Sequence, residues 1–286
     1  MTIAAAVIGA LLVVSASASE SLGNRAAYPA SKDSDNYIVG GTEARRNEFS
    51  WQISLQVYEN NTRSIRGSWE HTCGGSIISD NWVLTAAHCV VPPGVDTFRV
   101  VVGAHSIAQK PTADQIFPVK TIVVHPKYND HSLQNDIALV KIRGRFNFNN
   151  RFVGPIRLAT AQDGTFEGER CIASGWGRFS PSDDLSNILL KTSLSVMSTE
   201  ECARRLRDVN GARLISSLIC ALHSKLASGI CNGDSGGPLA CVDEKGVYKL
   251  AGITSFYVRC GSKLYPSAFT RVSSYRTWID QVISRH

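Results

Sequence analysis

The sequence lacks an apolar run long enough to cross a membrane. The longest is the segment 3–14, which is shorter than the roughly 20 residues that a membrane-spanning helix needs. The small residues Ala16, Ser17 and Ala18 follow it, a pattern typical of the hydrophobic region and cleavage site of a signal peptide, although no Lys or Arg precedes the run. We therefore predict a signal peptide at 1–18, a secreted, extracellular protein and no membrane anchor.

Paired Cys-x-x-Cys motifs are also absent, although the chain has eight cysteines. Structural zinc sites favour such pairs, so we do not expect zinc. Secretion places the cysteines in an oxidising compartment, where disulfides persist, and an even number can pair completely. The sequence therefore predicts four disulfides.

The chain has no strong excess of charge of either sign. The net charge is +6, and the basic clusters, Arg45 with Arg46 and the group 204–207, lie in polar surroundings. Such clusters are typical of solvated surfaces, so nucleic-acid binding is not expected. A composition of 43% hydrophobic and 19% charged residues indicates an ordinary globular protein.

Apolar periodicity is missing from residues 19–37, which are rich in Ser, Ala, Asp and Asn, and we interpret this segment as a removable propeptide. From residue 38 onward, short apolar runs rich in Val, Ile, Phe and Trp alternate with turn residues, which is typical of strands. The first series of runs is 51–57, 75–78, 82–86, 98–102, 117–124 and 137–142. The second series is 170–176, 189–197, 238–242, 248–256 and 268–272. Two series of strands predict two β-barrel-like halves.

Only the end of the chain has a helical pattern. Tyr275, Trp278, Ile279 and Val282 recur at spacings of three and four, and Ser273 or Ser274 is a suitable N-cap. The spacing predicts a helix over residues 273–284.

Three strings carry residues suited to nucleophilic acyl transfer, which needs an activated hydroxyl, a base and an orienting carboxylate. Ser235 is bracketed by glycines in Gly-Asp-Ser-Gly-Gly-Pro at 233–238. His88 alone among the seven histidines follows an apolar strand and precedes a cysteine. Asp136 stands at the start of an apolar strand, where burial requires a hydrogen-bond donor such as an imidazole. The alternatives are a glycine-rich turn that happens to contain Ser235 and an exposed turn aspartate. We assign no chemistry to the other histidines, which are His71, His105, His125, His131, His223 and His286.

These strings, in the order His, Asp, Ser, closely resemble the chymotrypsin family of serine proteases. Two further strings share the resemblance: Ile-Val-Gly-Gly at 38–41 and Cys-Ile-Ala-Ser-Gly-Trp-Gly at 171–177. The likeness runs from residue 38 to about residue 284. It implies an all-β serine protease domain at 38–286, made of two antiparallel six-stranded β-barrels with the active site between them. The N-terminal barrel would occupy about 38–150, the C-terminal barrel about 151–272, and the helix follows.

The resemblance also implies the role of each site residue. His88 is the general base, Asp136 orients it and Ser235 is the nucleophile, while the backbone N–H groups of Gly233 and Ser235 hold the oxyanion. The family's four disulfides correspond here to Cys73–Cys89, Cys171–Cys241, Cys202–Cys220 and Cys231–Cys260. No cofactor is implied.

Activation is implied to follow cleavage after Tyr37. The new α-amino group of Ile38 then pairs with Asp234, so the chain is expected to be an inactive precursor until it is cut. The propeptide has no cysteine and should leave once cleaved. Most family precursors have Lys or Arg where this chain has Tyr37, so the expected activator is a protease that accepts aromatic residues. This enzyme itself would be such a protease if Tyr257 moves aside.

The substrate pocket departs from the trypsin-like pattern. Gly229, followed by Ile230, stands where trypsin-like members have an aspartate, so a buried basic side chain would lack a partner. Tyr257 and Ser267 replace glycines that are common in the family. These positions, with Ser255 and Phe256, predict a shallow apolar pocket for Leu, Met, Ala or Val. If Tyr257 turns outward, Phe or Tyr would fit instead.

Two surface positions complete the sequence-based expectations. Ala104 stands where the family's calcium loop has a liganding glutamate, so we predict no metal site. Asn60 begins an Asn-x-Thr sequon and is a candidate for N-glycosylation.

The predicted function is that of a secreted digestive endopeptidase that cleaves after uncharged residues. The expected partners are protein or peptide substrates, an activating protease and protein inhibitors, and we expect a monomer. One alternative is a catalytically inactive family member used as a binding or antimicrobial protein. Another is a regulatory protease of a cascade or a venom.

Overall fold

The computed structural model describes residues 41–59, 67–91, 97–149, 151–178, 182–209, 216–223 and 227–286. All of them fall within one unit of the chain, 35–286. The predicted signal peptide and propeptide, the activation residues Tyr37 and Ile38, and the candidate glycosylation site Asn60 lie outside the described residues. None of the helices in the described part is long and apolar enough to span a membrane.

Strands make up most of the regular structure. In chain order they are β1 (Thr42–Glu43), β2 (Gln52–Glu59), β3 (Ser68–Ile77), β4 (Trp82–Thr85), β5 (Phe98–Val102), β6 (Ile116–Val124), β7 (Ala138–Ile142), β8 (Arg157–Leu158), β9 (Arg170–Gly175), β10 (Leu190–Val196), β11 (Leu218–Leu222), β12 (Pro238–Val242), β13 (Tyr248–Phe256) and β14 (Ser267–Arg271). The α-helices are α1 (Thr199–Arg205) and α2 (Arg276–Arg285).

The first barrel closes in the order β2-β3-β4-β7-β6-β5, with every neighbouring pair antiparallel. Along each of its strands, every second side chain points to the same face of the sheet. On β2, for example, Ile53, Leu55 and Val57 are buried and share one face. This face lies in a hydrophobic core with Leu84 of β4 and Val140 of β7.

The second barrel closes in the order β9-β10-β11-β14-β13-β12, again entirely antiparallel, with β12 returning to β9. Two short strands are added to it: β1 pairs with β10, and β8 runs parallel to β13. The structure therefore confirms the predicted fold of two antiparallel six-stranded barrels with a C-terminal helix.

Several elements differ from the sequence-based prediction, among them the two-residue strands β1 and β8, which were not predicted. Strand β3 begins at Ser68 rather than at 75, and β11 was not predicted. Helix α1 was also missed because it is short and buries little apart from Cys202. The sequence does contain an N-cap residue for this helix: Ser198 Oγ accepts a hydrogen bond from Glu201 N at 3.1 Å. The Cys202–Cys220 disulfide ties α1 to β11, so these two missed elements support each other.

The C-terminal helix begins later than predicted. Residues Val272–Tyr275 form a 3-10 turn, and α2 starts at Arg276 with Tyr275 at the N-cap position. The prediction that Ser273 or Ser274 caps the helix was wrong because the 3-10 turn takes up both serines. Ile279 and Val282 are buried against the same hydrophobic core as the strands of the first barrel, as the spacing indicated.

The eight cysteines pair as the resemblance implied. The bonds are Cys73–Cys89, Cys171–Cys241, Cys202–Cys220 and Cys231–Cys260, and no cysteine is free. The first lies beside His88 and the last joins two segments near Ser235, so two of the four hold the candidate site in place.

Candidate active site

Asp136 is a fully buried carboxylate at the entrance to β7. Its Oδ1 accepts a hydrogen bond from the backbone N–H of His88 at 3.0 Å, and its Oδ2 accepts from His88 Nδ1 at 2.7 Å. The Ser255 hydroxyl also donates to Oδ2, at 2.6 Å. A buried carboxylate is costly unless donors surround it. These three donors make the position tenable and fix the carboxylate against the imidazole.

The residue before it, Asn135, sets the direction of this carboxylate. Its φ is 55°, in the left-handed region that asparagine tolerates better than most residues. The Asn135 amide donates to Lys127 O at 2.7 Å and accepts from the Tyr275 hydroxyl at 3.1 Å. These contacts hold a sharp turn just before Asp136, which directs the aspartate inward.

His88 lies in a 3-10 turn, Ala87–Cys89, directly after β4. Its side chain is 26% exposed. Because Nδ1 donates to Asp136, the other ring nitrogen of the neutral imidazole, Nε2, is an acceptor. Nε2 faces the Cys73–Cys89 disulfide, 3.8 Å from Cys89 Sγ. Nε2 is thus the ring nitrogen that is available to accept a proton.

Ser235 lies in the turn that leads into β12 and is half-buried. Its carbonyl accepts a hydrogen bond from Gly74 N at 2.7 Å, across the boundary between the barrels. The next residue, Gly236, has φ 74°, and a Cβ there would collide with Thr85 Oγ1 and lie 3.2 Å from Cys89 Sγ. Only glycine allows so close an approach. This contact places Ser235 beside the disulfide that follows His88.

Within the described residues, the Ser235 hydroxyl makes no hydrogen bond to His88. The bond between a nucleophile and its base is often long without substrate and tightens in the reacting complex. The structure therefore brings all three predicted residues to one place, with the His88–Asp136 pair already formed and the Ser235–His88 contact open.

The backbone around Ser235 leaves two N–H groups available. The N–H groups of Asp234, Gly236 and Gly237 donate to the carbonyls of Cys231, Thr254 and Asp234 respectively. No described residue accepts a hydrogen bond from the N–H of Gly233 or of Ser235. These are the two donors that the sequence analysis predicted for an oxyanion.

His71, to which the sequence analysis gave no chemistry, holds this backbone. Its Nε2 donates to Gly233 O at 3.0 Å, so its Nδ1 must accept from the Ser54 hydroxyl, 2.7 Å away. Burial lowers the pKa of His71 to about 4, while its bond to Gly233 acts in the opposite direction. The imidazole is therefore neutral at pH 7 and keeps this tautomer. No local sequence signal distinguishes His71, because its partner is 162 positions away.

Asp234 is the second buried carboxylate of the site. Gly177 N donates to one of its oxygens at 2.8 Å and Cys231 N to the other at 3.0 Å. None of the described residues brings a cation to it. Burial raises the pKa of Asp234 to about 6, although its two backbone donors act in the opposite direction. The predicted partner, the amino group of Ile38, lies outside the described residues.

Five of the six predicted pocket residues lie on two facing segments, 229–233 and 255–261, and the sixth, Ser267, lies on β14. A Cβ on Gly229 would lie 3.1 Å from Ser267 Oγ and 3.4 Å from Gly261 Cα, so the two segments almost touch there. Ile230 is buried in the core of the second barrel, and its N–H lies 3.5 Å from Ser267 Oγ. No acidic side chain is among the predicted pocket residues.

The remaining predicted pocket residues have different surroundings. The Ser255 hydroxyl is engaged with Asp136, and Phe256 packs against the cluster around the Cys202–Cys220 disulfide. Tyr257 is turned toward the facing segment, where its hydroxyl donates to Asn232 Oδ1 at 2.6 Å. The sequence analysis did not identify Asn232.

The loop that includes Ala104 is held by hydrogen bonds between protein groups. The Thr112 hydroxyl donates to the Asp114 carboxylate, and Gln115 Nε2 donates to Val102 O at 3.1 Å. In the described part of the chain, the only cluster with metal-ligand spacing is Cys73, His88 and Cys89, and its cysteines form a disulfide. That calcium does not bind stays a prediction.

Comparison with known proteins agrees with this geometry. Residues 38–279 match the family model described as Trypsin. Chymotrypsin-like elastase family member 1 from Rattus norvegicus is 39% identical over 254 residues, which cover 86% of this chain and 90% of the relative. The protein of the same name from Canis lupus familiaris is also 39% identical, with 86% and 92% covered. The Macaca fascicularis protein of that name is 38% identical, with 86% and 90% covered.

The left-handed turn at Asn135 gives a testable prediction. Asn135→Ala removes two side-chain hydrogen bonds and places a β-carbon at a positive φ, so we expect a loss of about 2 kcal/mol in the free energy of unfolding. Asn135→Gly removes the same bonds without the β-carbon penalty and should lose about 1 kcal/mol. Denaturant unfolding measures both. Equal losses would show that the backbone conformation does not contribute.

Proposed function

The chain belongs to the trypsin family of serine proteases and is a chymotrypsin- and elastase-like endopeptidase; we propose that it is secreted as a zymogen and cleaves after uncharged residues through Ser235, His88 and Asp136. The observation that carries the assignment of these residues is the His88–Asp136 hydrogen bond of 2.7 Å beside Ser235. The digestive role is part of the proposal.

The proposed reaction begins when Ser235 Oγ attacks the scissile carbonyl carbon. His88 Nε2 takes the hydroxyl proton and later gives it to the leaving amine, while the Asp136 carboxylate stabilises the imidazolium. The carbonyl oxygen becomes an anion held by the N–H groups of Gly233 and Ser235, each worth on the order of 3 kcal/mol in comparable sites. Water then attacks the acyl-enzyme, with His88 Nε2 taking its proton. The proton passes to Ser235 Oγ as the bond to the acyl group breaks and the acid product leaves.

The proposed activation switch is Asp234. Two backbone donors hold its carboxylate, but its pKa is raised because burial penalises the charged form. Cleavage after Tyr37 would create a cationic amino group on Ile38. Pairing that cation with Asp234 stabilises the segment 231–235, which carries the N–H of Gly233. The precursor lacks the cation, and this supports its being inactive.

The proposed specificity is for uncharged side chains. Gly229 and Ser267 leave little depth between the two pocket segments. None of the predicted pocket residues is a carboxylate that could pair with a basic side chain, whose burial would cost several kcal/mol. Tyr257, turned across the pocket toward Asn232, favours the smaller aliphatic residues.

Covalent labelling tests the nucleophile. We expect an organophosphonate to label the activated enzyme, because the probe reacts with a serine that a histidine activates. Ser235→Ala should abolish labelling. The matched control is Ser193→Ala, an exposed serine on β10 of the second barrel, which should label like the parent enzyme. Labelling that survives Ser235→Ala would place the nucleophile elsewhere.

A panel of peptides that differ only at the residue before the scissile bond tests specificity. We expect kcat/KM to be at least about 100-fold higher for Ala, Val or Leu than for Arg, because the pocket offers the guanidinium no partner. A preference for Arg would contradict the assignment of the pocket to Gly229 and Tyr257.

The pH dependence of stability tests the switch. In the uncleaved chain, the folded state binds the Asp234 proton more tightly than the unfolded state, whose pKa is near the ordinary 3.8. Asp234 therefore costs nothing below about pH 4 and destabilises the fold progressively as the pH rises through about 6. A shift of about two units corresponds to roughly 3 kcal/mol.

Asp234→Asn, made in the Ser235→Ala background to prevent self-cleavage, should remove this dependence. Between pH 4 and pH 8 the parent should lose roughly 3 kcal/mol of unfolding free energy relative to the variant. The bonds that the asparagine amide cannot accept add a constant offset. Cleavage after Tyr37 should then stabilise the parent at pH 8 but not the variant. A stability difference that does not change with pH would contradict the switch.

A further inference from the structure

The two pocket segments, 229–233 and 255–261, are joined by three contacts. At the base, Gly229 lies against Gly261. Above it, the Cys231–Cys260 disulfide links the segments covalently. The third link is the hydrogen bond of 2.6 Å from the Tyr257 hydroxyl to Asn232 Oδ1. Of the three, only the hydrogen bond can open and close without breaking a covalent bond or moving the backbone.

Asn232 is held so that its amide faces Tyr257. Its carbonyl accepts a hydrogen bond from Arg178 N at 2.8 Å, and its neighbour Cys231 is fixed by the disulfide. Asn232 also lies three positions before Ser235, on the segment that carries the oxyanion donors. A side chain anchored there is therefore close along the chain to the nucleophile and to the oxyanion donors.

Tyr257 is held at both ends of its side chain. It is half-buried, and its ring packs against the hydrophobic cluster that contains Ile230 and Phe269. Burial, and then the charge of Asp234, raises the pKa of its hydroxyl. The group therefore remains a neutral donor across the physiological range. One end of the side chain is held by apolar packing and the other by Asn232.

We propose that Asn232 is a positioning residue for specificity: it holds Tyr257 across the mouth of the pocket, so that small aliphatic side chains enter and large aromatic ones are excluded. This inference rests on the proposed function and deepens it. The bulk of the tyrosine ring alone would not fix the preference, because a free ring could turn outward and admit Phe or Tyr. The hydrogen bond removes that alternative.

Two substitutions open the bridge in different ways. Asn232→Ala removes the acceptor and keeps the tyrosine, whereas Tyr257→Phe keeps the ring and removes only the donor. For both we expect the ratio of kcat/KM for a Phe substrate to that for an Ala substrate to rise about 5- to 10-fold, as the loss of one hydrogen bond implies. The change should lie mainly in KM for the Phe substrate. Tyr257→Gly, which deletes the ring, should raise the ratio further.

The two substitutions should not be additive. Once Tyr257→Phe has removed the donor, Asn232→Ala should have little further effect on the ratio, because both act on one bond. Tyr58→Phe, on β2 of the first barrel, is the matched control and should leave the ratio unchanged. Labelling of each variant by the organophosphonate confirms that it is folded and active.

The outcomes distinguish a failure of the inference about Asn232 from a failure of the proposed function. If both bridge variants are labelled and keep the parent's ratio of Phe to Ala cleavage, Asn232 does not position Tyr257 and the inference is overturned. If the ratio rises in each variant but the effects add fully, the residues act separately, which also overturns it. Failure of the activated parent enzyme to be labelled or to cut any peptide would instead contradict the proposed function.

Discussion

The burial of the Asp136 carboxylate is the constraint on which the rest of the site depends. Asp136 belongs to the first barrel, yet the Ser255 hydroxyl that donates to its carboxylate comes from β13. The backbone carbonyl of Asp136 accepts a hydrogen bond from Thr270 Oγ1 on β14 at 2.8 Å. Both donors lie in the second barrel. Of the two, only Ser255 donates to the charge itself, which would be more costly to bury without that bond. The two barrels must therefore be docked before Asp136 is satisfied, and satisfying it orients His88.

Asp234 is a buried carboxylate with fewer hydrogen-bond donors than Asp136. Asp136 has an imidazole, a hydroxyl and a backbone N–H, whereas Asp234 has two backbone N–H groups and no described cation. The first arrangement is complete within the folded chain. The second leaves a carboxyl that still favours its proton near pH 6. This difference makes one carboxylate a permanent part of the site and the other a place where an added cation can act.

The sequence predicted those features that are encoded locally. The strings around His88, Asp136 and Ser235 and the alternating runs of the barrels are contiguous, so the fold, the disulfides and the central residues could be predicted from the chain and its family resemblance. Helix α1 was missed because it is short and buries little apart from Cys202, and strand β11, which a disulfide ties to it, was missed with it. His71 and Asn232 were missed because their roles come from contacts with Gly233 and Tyr257 that only the folded chain creates.

The pocket illustrates the limit of arguing from side-chain size. Replacing a glycine by tyrosine predicts less volume, but the sequence left two orientations of Tyr257 open, and these favour different substrates. The choice depends on one acceptor, Asn232, which is set in place by Arg178 N and by the neighbouring disulfide. A hydrogen bond worth about 1 kcal/mol adds to the apolar packing of the ring in favouring one of the two orientations. The proposed specificity therefore depends on what holds the aromatic ring as well as on how much space it fills.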